Sequence, residues 1–281
     1  MTPAASSTIR PPLWLAPAAL LFGFAAALFL QLIVAVIGSA AGTPIANPTP
    51  AVEIISDVLF DLSFVGAVLY LVAVPGWMGR ARFGYVRVSP KLGLGALLAA
   101  GAAYYLITWI YQLVFNLHQT DKLPADLHVT SSTWAAIAVA IFTCVIAPCC
   151  EEFFFRGFLF GVLRGMRVSL GGRDLGPWLA ALIVGIIFGA AHYDSATPEA
   201  LIPLGFLGFV LCLVRWRTRS LYPGMALHAI NNCIAFGVTE FSWGAGWIVL
   251  TVAAALALIT LLTGWLALPA PVSGEAGQAP A

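Results

Sequence analysis

The sequence predicts an all-α protein, a polytopic membrane helix bundle of about eight transmembrane helices, and three observations carry that reading. Hydrophobic residues fill 61% of the 281 positions and charged residues only 9%, against roughly 25% charge in a soluble domain. Mean hydropathy is +0.96. Apolar runs near the length of a membrane span, about 20 residues, recur along the chain between breaks of Pro, Gly and clustered charge. No water-soluble globule has an interior that could hide so much apolar surface, so lipid is the expected solvent and surrounding partner.

The first run, 13–38, follows Arg10 and exceeds the about 7 to 15 apolar residues of a signal-peptide core, so it is read as a retained span. The second, 54–75, carries Asp57 and Asp61, which read either as an ion or proton site or as groups near the outer interface within reach of water. The third, 92–116, holds Tyr104, Tyr105, Trp109, Tyr111 and Gln112, read as packing and interface anchors. The fourth, 133–165, is one helix tilted or broken at Pro148; two crossings there would invert every later loop. Further spans follow at 177–193, 199–214, 220–238 and 245–268. The chain divides into N-terminal transmembrane helices, about three, over 1–130; a core over 131–240; a C-terminal transmembrane helix over 241–268; and a disordered tail over 269–281.

Loop charge fixes the orientation. Arg80, Arg82, Arg87 and Lys91 follow the second span, Arg164, Arg167 and Arg173 the fourth, and Arg215, Arg217 and Arg219 the sixth; only Lys122 falls in an opposite loop. The positive-inside rule therefore predicts a multi-pass protein of the cell membrane with both termini cytoplasmic. No basic stripe with interleaved aromatics is present, which argues against nucleic acid as a partner. The five cysteines lie in apolar stretches without zinc-knuckle spacing and read as small core hydrophobes. No internal repeat stands out, against a transporter built from two halves.

A charge in hydrocarbon costs at least about 2.5 kcal/mol on insertion scales, so each needs a partner or a task. Glu152 and Arg156 are four apart and can pair on one helix face, whereas Glu151 points about 100° away and is left for other work. Phe188 and His192 share a face of the fifth span, and His228 and Asn232 one of the seventh. At 1.5 Å per residue, Glu151, His192 and His228 lie about 20, 22 and 12 Å from the cytoplasmic ends of their segments, so a meeting in the inner or middle membrane is allowed. Two chemistries fit. Glu151, His192, His228 and Asn232 can hold a Zn2+ that polarises water. Alternatively, Glu151 with one His deprotonates water without metal, while the other His and Asn232 donate to the developing oxyanion. Either scheme hydrolyses an amide.

These motifs resemble those of the CPBP family, the CAAX proteases and bacteriocin-processing enzymes also called Abi, which is marked by EExxxR, FxxxH and HxxxN. They stand here in order as Glu151, Glu152 and Arg156, then Phe188 and His192, then His228 and Asn232, with Gly157 after the arginine. The resemblance implies an eight-helix intramembrane metalloendopeptidase with a cytoplasm-facing cavity and a membrane-associated protein or peptide substrate. It also implies roles: Glu151 and His192 activate water, His228 and Asn232 bind metal or stabilise the oxyanion, and Glu152 with Arg156 braces the site. An ion-coupled membrane transporter using Asp57 and Asp61, and a non-catalytic membrane adaptor, are the alternatives. His118 and His128, with Asp121 and Asp126, read as parts of a solvated outer loop.

Overall fold

In a bilayer every backbone donor and acceptor must be paired within the protein, and helices meet that demand one segment at a time. The computed structural model describes residues 11–73, 75–115 and 132–269. Arg10, His118, Asp121, Lys122, Asp126, His128 and the tail beyond 269 lie outside them. The structure is a polytopic membrane helix bundle with a helix at each span expected from sequence. α1 is Leu15–Ala40, α2 Pro50–Val68, α3 the short Arg80–Phe83 and α4 Pro90–Phe115. α5 runs over Thr133–Leu163, and α6 to α9 are Gly176–Ala191, Pro198–Thr218, Tyr222–Ala235 and Ala245–Thr263. Among the described residues, six helices are long and apolar enough to cross a membrane; α6, with 16 residues, is shorter, and α8 is not among the six, so length alone does not establish eight crossings. A two-residue hairpin, Ser169–Leu170 with Arg173–Asp174, joins α5 to α6.

Local chemistry sets the helix starts. Pro50, Pro90, Pro177, Pro198 and Pro223 stand at or next to the first helical position, where a missing N–H costs nothing. Ser132 caps α5 by accepting from the Ala135 N–H at 3.1 Å. The expected break in α5 is present, but as more than a proline kink: Ala147–Glu151, which contains Pro148, lies between π-helical turns at Phe142–Ile146 and Glu152–Leu159. The wider π turn brings residues four apart almost into line, which suits Glu152 and Arg156.

α5 is the central element. All eight residues of Glu152–Leu159 are buried, and α5 touches α2, α8 and α9. α1 pairs with α2, and α6 with α7, as antiparallel neighbours, while α4 packs on α7 and α8. The α6–α7 seam is built from glycines: a Cβ at Gly189 would lie 2.6 Å from the Leu201 carbonyl oxygen, and one at Gly185 2.7 Å from that of Gly205. Small residues let the backbones approach, the usual basis of helix association in lipid. Gly189→Val is therefore expected to lower stability by about 1 to 3 kcal/mol through overpacking. Gly95→Ala, where a Cβ meets nothing within 4 Å, is expected to leave it unchanged or slightly raised. Thermal unfolding in detergent checks both.

Candidate active site

A large cavity of about 1210 Å³ lies between the helices. Its wall includes Glu151, His192, His228 and Asn232, so the polar residues singled out on three separate helices share one space. The tightest group sits where α5 meets α8. Arg156 Nη1 lies 2.9 Å from Glu152 Oε1, both side chains being almost wholly buried. The same oxygen accepts from His228 Nδ1–H at 3.1 Å. That bond fixes the tautomer, leaving His228 Nε2 as the second functional nitrogen. Nε2 is 3.7 Å from Glu151 Oε2, too long for a direct hydrogen bond but within range of charge interaction. The contacts thus run Arg156, Glu152, His228, Glu151, from the buried core to the cavity wall.

Arg156 is held from a second direction. Its guanidinium carbon lies 4.2 Å from the centroid of the Phe188 ring and 5.7 Å from that of Phe155, close enough for cation–π attraction in a dry setting. Phe188 also contacts both imidazoles, His192 at 4.7 Å and His228 at 5.7 Å between centroids. His192 closes the C-terminal end of α6, and its Nδ1–H donates to the Phe188 carbonyl at 2.8 Å. Its ring is oriented by its own helix and Nε2 is left over. His228 Nε2 thus stands beside Glu151, and His192 lines the same cavity.

Asn232 is positioned by a relay across three helices. Tyr105 Oη donates to Asn231 Oδ1 at 3.3 Å, Asn231 Nδ2 to Asn232 Oδ1 at 3.4 Å, and Asn232 Nδ2 to the Thr143 carbonyl at 2.8 Å. The second Nδ2 hydrogen remains available. Sequence reading missed Asn231 and took Tyr105 only as a packing or interface anchor; the adjacent asparagines at 231–232 are the one signal it offered for the relay. It read Asp57 and Asp61 either as an ion or proton site or as groups near the outer interface; both line this cavity, as do Tyr104, Trp109 and Gln112. Among the described residues Asp61 Oδ2 is buried without a hydrogen-bond partner, and its charged neighbours are Glu151 and Asp57.

Gly224 is a further missed residue. A Cβ there would stand 2.8 Å from Glu152 Oε2, so only glycine lets α8 pass the carboxylate that joins Arg156 to His228. Gly224→Ala is expected to displace Glu152 and lower turnover by about 10- to 100-fold, the scale of a misplacement near 1 Å. Single-turnover rates at matched protein levels check it.

Among the described residues no three His, Cys, Asp or Glu side chains are grouped to hold an ion. The five cysteines are free and buried or half-buried, in keeping with core packing.

Fold and site together define a polytopic membrane protein with an acid–imidazole cluster inside the bundle. Residues 133–234 match the family model described as type II CAAX prenyl endopeptidase Rce1-like, so the chain is similar to that family through this region. It is 30% identical over 209 residues to protein YyaK of Bacillus subtilis (strain 168), covering 68% of this chain and 66% of that one. It is 27% identical over 148 residues to a 24.3 kDa protein of Escherichia coli, covering 50% of this chain and 65% of that one. The chain thus spans just under two thirds of the length of these curated relatives. No solved structure matches it.

Proposed function

We propose that this protein is an intramembrane endopeptidase that hydrolyses a peptide bond of a membrane-associated protein or peptide. The observation that carries the reading is the Arg156–Glu152–His228–Glu151 chain of contacts ending on the cavity wall. The family match over 133–234 supports the reaction class. The cavity also reaches lipid-facing residues, Leu21, Trp109 and Ile186, so an apolar substrate segment can enter without crossing water.

In this mechanism Glu151 takes a proton from water as the hydroxide adds to the scissile carbonyl carbon. His228, acting with both ring nitrogens protonated, donates from Nε2–H to the oxyanion together with the free Asn232 amide hydrogen. The proton then passes to the amide nitrogen, the C–N bond breaks, and an amine and a carboxylate leave. Glu152 and Arg156 act through His228 and touch no substrate.

Zinc, weighed in the sequence with Glu151, His192, His228 and Asn232 as ligands, would need a third donor to close on the Glu151–His228 pair. The reading without metal needs no such movement, and no step above passes through an ion. Purified protein is expected to cleave a quenched fluorescent peptide in liposomes. His228→Ala should reduce the rate by about 10²- to 10³-fold as an oxyanion donor is lost. Persistence of the wild-type rate in that variant overturns the assignment. Elemental analysis and chelator treatment decide the metal separately: metal-free protein with full activity favours the glutamate route, and a stoichiometric ion with chelator-sensitive turnover refutes it.

A further inference from the structure

The two ends of the bundle differ in chemistry and in closure. At one end lie all the described Lys and Arg residues except the buried Arg156. The loop after α2 and the turn between α7 and α8 are tied together there: Arg215 Nη2–H donates to the Arg82 carbonyl at 2.9 Å, Ser220 Oγ–H to that of Val86 at 2.7 Å, and the Leu221 N–H to that of Gly84 at 2.9 Å. The segment after α9 adds a third strand of contacts, with the Arg87 N–H donating to the Leu268 carbonyl and the Leu268 N–H to that of Tyr85, each at 2.9 Å. Gly157 of α5 approaches the Phe83 carbonyl so closely that a Cβ would sit 3.1 Å from it. Phe83 and Tyr85 stack on Phe153 above this layer. Burial pushes the Tyr85 phenol above its ordinary range, so it stays neutral within the layer. The arginine end is a closed floor.

The cavity lies toward the other end. Its wall includes Asp194 and Ser195 in the turn after α6, Thr239 beyond α8, and Gln112 near the end of α4. Asp194 and Thr239 are exposed. Among the described residues no Lys or Arg lines it, whereas Asp57, Asp61, Glu151 and Asp194 do. Basic loops stay on the cytoplasmic side because translocating them is costly. A floor built from those loops therefore faces the cytoplasm, and a mouth at the opposite end faces away from it.

We propose that the active-site cavity opens to the non-cytoplasmic face of the membrane, so that its substrate is a polypeptide whose scissile segment has been exported or lies in the outer leaflet. The family likeness implied a cytoplasm-facing cavity; the floor and the charge pattern point the other way. The substrate half of the inference rests on the peptidase reading, and the direction of access does not.

Thiol labelling of the full chain in intact cells tests the direction. Tyr193→Cys, at an exposed position in the turn after α6, and Thr239→Cys are each compared with Arg217→Cys on the floor, with the wild type and its five cysteines as background. A membrane-impermeant charged maleimide is expected to label Tyr193→Cys and Thr239→Cys above background in intact cells, and Arg217→Cys only after permeabilisation. Two mouth positions keep the test decisive should one variant fail to accumulate. Labelling of Arg217→Cys in intact cells with both mouth positions protected overturns the proposal, as does equal labelling of floor and mouth. The readout needs no turnover, so a protein that cleaves nothing would overturn the peptidase reading and leave this result standing.

Discussion

Glu151→Gln is expected to lower kcat/KM by about 10³- to 10⁴-fold, or roughly 4 to 5.5 kcal/mol of transition-state stabilisation, while leaving the fold intact. The amide keeps the shape of the carboxylate but cannot take a proton from water. Stability should change little, because Glu151 Oε2 has no hydrogen-bond partner among the described residues and the side chain is 16% exposed on the cavity wall. Glu151→Asp retains the base but withdraws it by one methylene from His228 Nε2, so an intermediate rate is expected. Steady-state kinetics with the liposome peptide, beside thermal unfolding of the same preparations, separates loss of chemistry from loss of fold. A Gln variant that turns over normally would remove Glu151 from the mechanism.

Arg156→Met is expected to be the most destabilising single change in the site, by about 3 to 5 kcal/mol, because it strands the Glu152 carboxylate in the core. The guanidinium is fully buried, 2.9 Å from that carboxylate and stacked on Phe188. Glu152→Gln should cost a similar amount by leaving Arg156 unmatched. The double variant Glu152→Gln/Arg156→Met should recover part of either loss, since an apolar or neutral pair removes the burial penalty of both charges. Arg156→Lys keeps the charge but gives up the flat stacking on Phe188 and should fall between. Unfolding of the four proteins forms a cycle whose coupling term measures the pair. Activity in the double variant should stay low even where stability returns, because His228 Nδ1 loses the carboxylate that holds its tautomer.

Much of this was legible in the sequence, for physical reasons. A charge in hydrocarbon is costly enough that Glu151, Glu152 and Arg156 announce themselves, and helical spacing pairs Glu152 with Arg156 without coordinates. Apolar runs give the order of the helices. What stayed hidden depends on rotation and neighbours. Depth along α2 places Asp61 at the level of the site but does not say that its side chain meets Glu151 rather than lipid. Spacing within α8 puts His228 and Asn232 on one face, yet which imidazole stands beside Glu151 depends on how α6 and α8 sit around Phe188. Gly224 carries no sequence signal, since its importance lies in the carboxylate of another helix. The π turns of α5 are equally silent, because they change the register without changing the composition.

The short α6 has an effect on the surrounding lipid. Its 16 residues extend about 24 Å, against a hydrocarbon core of about 30 Å. Because His192 closes this helix, the mismatch falls beside the site. A bilayer meets such a deficit by thinning locally, and headgroups and their hydration descend with it. On the peptidase reading this deformation brings water toward the site, and acyl-chain length is expected to set the rate of hydrolysis: longer lipids resist the dimple and lift the water table away from His192, and shorter ones lower it.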